Sequence, residues 1–367
     1  MNIAYIGATP QARVYKQVKL LKEKYDVNIS LVCFRYDELL FNDLFDKTYV
    51  LKKGNPYNKI ESILVKLNPD IVHLFSDKFA IAEAIIDSKI PYVYDPYDYF
   101  LEQDGISNDT MMEHWKMMAQ NASGIVLRYD ESIKETKKFQ YLQIEDTKPI
   151  IQLFDYACSD FFINKRTVSS RMDKVVHIGY LSSLDLSKET HIATQFNNVA
   201  KSISPYRGYD IFCSLWSDKF DLLSVQYQNI KEKFRDNFNL YSALPQEQLN
   251  ETISSYKYGS YIHDSSIDSD MPYILKSVGN KIFNYIEAGL PIITTNEITA
   301  SAKFIEQHKI GVNIKTMEMF NDNIDSIDDN YEELLKTVYH KRENELNILN
   351  HIYKLYDLYK LVIKRSK

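Results

Sequence analysis

Cysteine is scarce in this chain: Cys33, Cys158 and Cys213 are the only three in 367 residues, far apart and in no CxxC or other metal-ligand spacing. That argues against a disulfide framework or a structural zinc centre and favours a reducing compartment. No apolar run approaches bilayer-spanning length, so any membrane contact is expected to be peripheral. The opening residues, MNIAYIGATP, lack the basic lead and long apolar stretch of a secretory signal and read as a first buried strand. Charge excess is missing too: a formal net charge of −6, spread along the chain, offers no surface for nucleic acid. There is no internal repeat and no low-complexity segment. No Asp-x-Asp motif stands directly at a strand end, and no metal ligand is expected.

What the chain has instead is strand and helix in alternation, over a length that suits two to three domains. In the first half, short apolar strands are expected at 3–6, 27–32, 49–51, 71–74, 92–94 and 125–127, with helices at 14–24, 60–67 and 80–87. Strict alternation implies right-handed crossovers and a parallel sheet covered on both faces. Ligands of such sheets sit beyond the carboxyl ends of the strands. The residues to inspect are therefore Gly7, Ala8 and Thr9, Ser76 and Asp77, the run Asp95-Pro96-Tyr97-Asp98, and Arg128.

The alternation then starts afresh. Strands are expected at 175–179, at 211–213 leading to Ser214, at 238–241 and at 258–262, with helices at 188–203 and from the Leu244-Pro245 turn to about Ser255. The polar segment 164–172 is the expected boundary. The reading is an N-terminal Rossmann-like domain over 1–165, a C-terminal one over 166–345, a cleft between them, and a final helix over 346–367 that packs back on the first domain.

The stretch 279–296, GNKIFNYIEAGLPIITTN, constrains the rest most strongly. Ile282, Phe283 and Ile286 share one helical face, Gly289 stops the helix, Pro291 turns the chain, and Ile292-Ile293 re-enter a strand. Ahead of the helix lies the small-residue lead-in Ser277-Val278-Gly279-Asn280. Backbone N–H groups there, added to the positive end of the helix dipole, make a natural phosphate cradle.

These residues carry a resemblance. His177-Ile178-Gly179-Tyr180-Leu181, Leu244-Pro245-Gln246-Glu247-Gln248-Leu249, and Asn280-Lys281-Ile282-Phe283-Asn284-Tyr285 with Ala288-Gly289-Leu290-Pro291 are similar to the C-terminal domain of GT-B glycosyltransferases, in particular the large retaining family that builds bacterial lipopolysaccharide, capsule and glycoconjugate sugars. Pro69-Asp70-Ile71-Val72-His73 and Tyr92-Val93-Tyr94-Asp95 resemble strands of its first domain. The resemblance implies a nucleotide-sugar donor, a UDP- or GDP-sugar, bound as substrate with no cofactor and no metal. On it, Lys188, Ser214, Leu244, Ser277, Val278, Gly279, Asn280, Lys281 and Asn284 bind donor. Leu244 packs the base, the lead-in holds the diphosphate, Lys188 and Lys281 neutralise it, and Asn284 bonds the ribose. Thr9, Arg13 and Tyr97 face the acceptor, which would be a glycan, a lipid-linked sugar or a protein. Asp98 and His73 are the alternatives for a catalytic base, since an inverting displacement needs a carboxylate or an imidazole to take the acceptor proton.

The chain departs from the family at several positions. Lys276 and Asn284 stand where many members carry two glutamates, Tyr180 stands in place of an arginine, and Lys188 falls later than the usual lysine. A nucleotide-sugar epimerase of the same fold and a non-catalytic glycosyltransferase-like subunit therefore stand as alternatives. The segment 331–367 reads as one long amphipathic helical pattern carrying Leu346, Leu349, Ile352, Leu355, Leu358 and Val362. Its last cations, Lys360, Lys364, Arg365 and Lys367, suit either the negative end of the helix dipole or anionic lipid at the inner face of a membrane, and the dipole is the simpler reason.

Overall fold

In the computed structural model, the described residues are 1–36, 38–52, 57–76, 78–96, 109–164, 173–179, 199–205, 207–213, 227–262, 277–296, 299–315, 319–320 and 327–367. Thirteen parallel strands run through them: β1 (Asn2–Gly7), β2 (Asn28–Cys33), β3 (Lys47–Val50), β4 (Ile71–Phe75), β5 (Tyr92–Tyr94), β6 (Gly124–Leu127), β7 (Ile150–Gln152), β8 (Val175–Gly179), β9 (Tyr209–Cys213), β10 (Phe238–Tyr241), β11 (Tyr258–Tyr261), β12 (Ile292–Thr295) and β13 (Gly311–Ile314). The helices that matter below are α1 (Ala12–Lys24), α2 (Gln246–Ile253), α3 (Asn280–Glu287), α4 (Thr299–His308), α5 (Tyr331–Glu343) and α6 (Ile352–Ser366).

Residues 1–155 and 348–367 form one compact unit and residues 156–347 the other. The first unit holds a seven-stranded sheet in the order β3-β2-β1-β4-β5-β6-β7. The second holds six strands in the order β10-β9-β8-β11-β12-β13. In both, the order reverses beside the first strand of the unit, which opens the crevice at the carboxyl edge where doubly wound sheets take ligands. Runs such as Ile71-Val72-His73-Leu74-Phe75 are buried along their whole length, as a sheet covered on both faces requires.

Two edge strands escape the pattern reading. β7 is three half-buried residues, and β13, Gly-Val-Asn-Ile, carries a polar residue and one fully buried side chain. The single long C-terminal pattern is corrected: it is two helices, α5 and α6. Between them Asn347 pairs with Ala157, whose N–H donates to Leu346 O at 2.9 Å. Leu346 is buried in that bridge while Leu349 is 39% exposed, so the apolar spacing that joins them in sequence does not describe one helix face. α6 belongs to the first unit, where Leu355, Leu358, Tyr359 and Val362 are buried. Gly124 on β6 accommodates it, since a Cβ there would lie 2.9 Å from Leu358 Cδ1.

Candidate functional site

In the second unit, α3 begins at Gly279, which caps it without any side-chain bond. Its far end closes in a Schellman turn: Leu290 N donates to Tyr285 O at 2.8 Å, Gly289 N to Ile286 O at 3.0 Å, and Gly289 takes φ +76°. One face of the helix (Ile282, Phe283, Tyr285, Ile286) is fully buried, while Lys281 and Asn284 are half-buried on the other side. The helix has little freedom to slide. The Tyr285 hydroxyl accepts from Ile178 N on β8 at 2.8 Å and donates to Ser260 O on β11 at 2.9 Å, so one ring ties α3 to two strands at their carboxyl ends. Gly259 lets the ring lie flat on β11, because a Cβ there would meet Tyr285 Cγ at 2.4 Å.

The lead-in is held as well. Ser301 Oγ on α4 donates to Ser277 O at 2.9 Å and accepts from Gly279 N at 3.4 Å. Val278 is buried, Ser277 and Gly279 are half-buried, and Asn280 is exposed. A Cβ at 279 would lie 2.3 Å from Tyr261 Cζ, so a larger residue there would require the end of that ring to move. The positive end of α3 and the Lys281 ammonium thus share one edge of the sheet. The field of Lys281 reaches His177 on β8: burial first, and then this cation, push the imidazole down to about 3. His177 is therefore neutral at physiological pH, with Nδ1 at 3.1 Å from Ser260 Oγ.

Glu287 ends the helix on a structural task. Its buried carboxylate accepts from Cys158 N at 2.9 Å and from Asn250 Nδ2 at 3.2 Å, and its carbonyl accepts from Arg342 at 3.0 Å. Asn250 lies on α2, the helix that follows half-buried Leu244 and Pro245. Ser214 and Lys188 lie outside the described residues, as do Asp98 and Tyr97.

The first unit places polar residues at the corresponding edge. Thr9 is exposed after β1. Arg13, expected to face an acceptor, is instead buried: its guanidinium grips Asp95 through Nε at 3.1 Å and Nη2 at 3.0 Å, and a third nitrogen bonds Asp155. Asp95 also accepts from Gln17 at 3.2 Å and contacts His73 Nε2 at 3.2 Å. Burial alone would raise the Asp95 carboxyl, but Arg13 and His73 reverse that and hold it well below the usual carboxylate range. His73 is also occupied: Tyr359 on α6 bonds Nδ1 at 2.7 Å, Tyr5 stacks on the ring at 4.3 Å, and burial lowers its pKa. With no exposed surface and both nitrogens bonded, His73 cannot take a proton from an acceptor in this arrangement. Sequence spacing marks Asp95 as a strand-end residue but does not reveal Tyr359, which bonds its neighbour His73 across 286 residues of sequence.

Two Rossmann-like units of parallel sheet, the second carrying a glycine-started helix at its carboxyl edge, define the GT-B fold of glycosyltransferases. Residues 206–346 match the family model described as glucosyltransferase 3-like, C-terminal domain. HepE of Anabaena, solved in complex with UDP, superposes with a TM-score of 0.70 at 11% identity over 97% of this chain and 99% of that one. A glycosyltransferase from Rickettsia africae ESF-5 gives 0.71 at 13% identity, over 99% and 98%. The UDP-GlcNAc 2-epimerase of Methanocaldococcus jannaschii gives 0.52 at 15% identity, over 95% and 94%. Comparison with curated proteins finds none that matches.

Proposed function

We propose that this chain is a metal-independent glycosyltransferase of the cytoplasm, moving a sugar from a nucleotide-sugar donor, with retention, onto a glycan, lipid-linked or protein acceptor in bacterial surface-glycan synthesis. The observation that carries the reading is the anchored start of α3, where a helix N-terminus with no side-chain cap, a glycine lying close under the Tyr261 ring and the Lys281 cation meet at one sheet edge. A departing nucleoside diphosphate needs fixed positive charge that does not have to reorganise, and a helix end held by Tyr285 and Ser301 supplies it. The UDP complex of HepE, on the same fold, supports a uridine donor. In this reading Leu244 packs the base, Asn284 bonds the ribose, and Lys188 and Ser214 complete the donor contacts. Thr9 and Tyr97 face the acceptor and Asp98 is the candidate general base should transfer invert, while Arg13 and His73 support the acceptor side from within.

Titration calorimetry with UDP, with and without EDTA, tests it. The expected result is one site of unchanged affinity, and strict magnesium dependence overturns the metal-independent reading. The second reading, an epimerase, is favoured by the likeness to UDP-GlcNAc 2-epimerase. Conversion of UDP-GlcNAc to its 2-epimer without any acceptor would establish it in place of transfer.

A further inference from the structure

The start of α3 has a further hydroxyl-bearing neighbour in Tyr261, the last residue of β11. Strand alternation decides which way it faces. Gly259, two residues earlier, carries the Tyr285 ring of α3, so Tyr261 projects from the same face of the sheet onto the beginning of that helix. The contact is close: a Cβ built on Gly279 would lie 2.3 Å from both Cζ and the hydroxyl oxygen of Tyr261. The other residues of β11 are buried and Tyr261 is half-buried, so its ring leads from the core to the open edge. A phenol hydroxyl therefore stands at the residue that caps α3. There the Asn280 and Lys281 N–H groups precede the first bonded one, Ile282 N, which donates to Gly279 O at 3.1 Å.

The neighbouring strand brings a second hydroxyl. Thr294 of β12 is the register partner of Tyr261, and paired residues of parallel strands project from one face, so it lies next to Tyr261 on the α3 side. Thr294 is fully buried, and its Oγ1 makes no hydrogen bond among the described residues. A buried hydroxyl without a partner is unfavourable, and valine, of nearly the same shape, would remove that cost. The groups that share its face and edge are Gly279, Tyr261, the positive end of α3 and the Lys281 ammonium, a set of donors suited to anionic oxygen.

We infer that the hydroxyls of Tyr261 and Thr294 bind phosphate oxygens of the nucleoside diphosphate, Tyr261 at the surface and Thr294 from beneath. The inference rests on the reading of the α3 start as the diphosphate site. A hydrogen bond to a charged oxygen is about twice as strong as one between neutral groups, so two hydroxyls fixed by a ring and a strand separate a diphosphate from a bare nucleoside without adding charge.

Titration calorimetry of the full chain with UDP and, separately, with uridine tests it, since uridine keeps the base and ribose and lacks the phosphates. Tyr261→Phe removes one oxygen and keeps the ring, and it is expected to weaken UDP ~10-fold while leaving uridine unchanged. Thr294→Val is expected to act in two opposite directions. The melting temperature should rise by about 2–4 °C, because an unpaired buried hydroxyl is gone, while UDP binds ~10-fold more weakly. A threonine with a structural role alone cannot give both. Unchanged UDP affinity in Tyr261→Phe overturns the inference, as does an equal loss of UDP and uridine in either variant. So does a Thr294→Val protein that is stabilised yet binds UDP as the parent does. A parent chain that binds UDP no more tightly than uridine is a different failure: it removes the diphosphate site from the start of α3, and the donor reading falls with it.

Discussion

Gly259→Ala would test how tightly α3 is held on its sheet. The new Cβ would lie 2.4 Å from Tyr285 Cγ and 2.5 Å from Cδ1. Carbon atoms rest at about 3.5–4.0 Å, so the overlap is about 1 Å at the root of the ring, where rotation gives no relief. The ring has nowhere to go: Tyr285 is fully buried and its hydroxyl is bonded to Ile178 N and Ser260 O. Overpacking of this kind costs about 1–3 kcal/mol. If the ring shifts enough to break one hydroxyl bond, about 1 kcal/mol is added. The second unit should thus lose about 2–4 kcal/mol, and because the proposed phosphate cradle lies at the start of α3, UDP should bind more weakly. Urea denaturation followed with a probe in the second unit gives the first number and calorimetry the second. The cause is isolated by repeating Gly259→Ala in a Tyr285→Ala background, where the new methyl meets empty space and should cost almost nothing. Equal costs in both backgrounds would refute the argument, as would a loss below about 0.5 kcal/mol in the parent, which is within the range of inconsequential substitutions.

Asn284→Ala should weaken UDP binding by about 1–2 kcal/mol and Asn284→Glu should retain it, and equal dissociation constants for all three proteins would remove Asn284 from the site. Glu287→Gln should destabilise the second unit by about 1–3 kcal/mol, because an amide cannot accept from both Cys158 N and Asn250 Nδ2; an unchanged melting temperature would count against that clasp. His177, held near 3 against its ordinary 6.5, stabilises while neutral, so its contribution is complete above pH 6.5 and is lost as pH falls from there toward 3. Melting temperature against pH should therefore fall less steeply over that window in His177→Asn than in the parent, and parallel curves would contradict it. Asp95 has the opposite charge but the same sign: its depressed pKa means stability present above its ordinary value and lost in stronger acid, so Asp95→Asn should be less stable at neutral pH and flatter below pH 4.

The second unit was more legible than the first, for a physical reason. Gly279, the Ile282/Phe283/Ile286 face, Gly289 and Pro291 form a local pattern, in which every cap and turn is decided by residues within one stretch. The network of Arg13, His73, Asp95, Asp155 and Tyr359 is assembled from α1, β4, the segments after β5 and β7, and the last helix, and no spacing rule joins residues so far apart. Arg13 and His73 were therefore taken for groups that face a ligand, when their charge and hydrogen bonds are satisfied inside the unit. The structural task of Glu287 was not legible, because its partners Cys158 and Asn250 belong to other segments. The C-terminal break was missed because Leu346 keeps the helical spacing while serving a bridge to Ala157.

The division of the chain into a continuous unit and an interrupted one has a consequence for its synthesis. A ribosome adding on the order of 10 residues per second takes roughly 20 s to pass from Asp155 to the end of α6. During that interval His73 and Tyr5 lack the hydroxyl of Tyr359, and β5, β6 and β7 lack the apolar cover of Leu355, Leu358 and Val362. Residues 156–347 are themselves complete only about 2 s before the end of α6, so it is the earlier-made strands that have stood uncovered longest. An assembly intermediate of this protein should therefore expose the first sheet rather than the second, and chaperones that read apolar strands would find their target there.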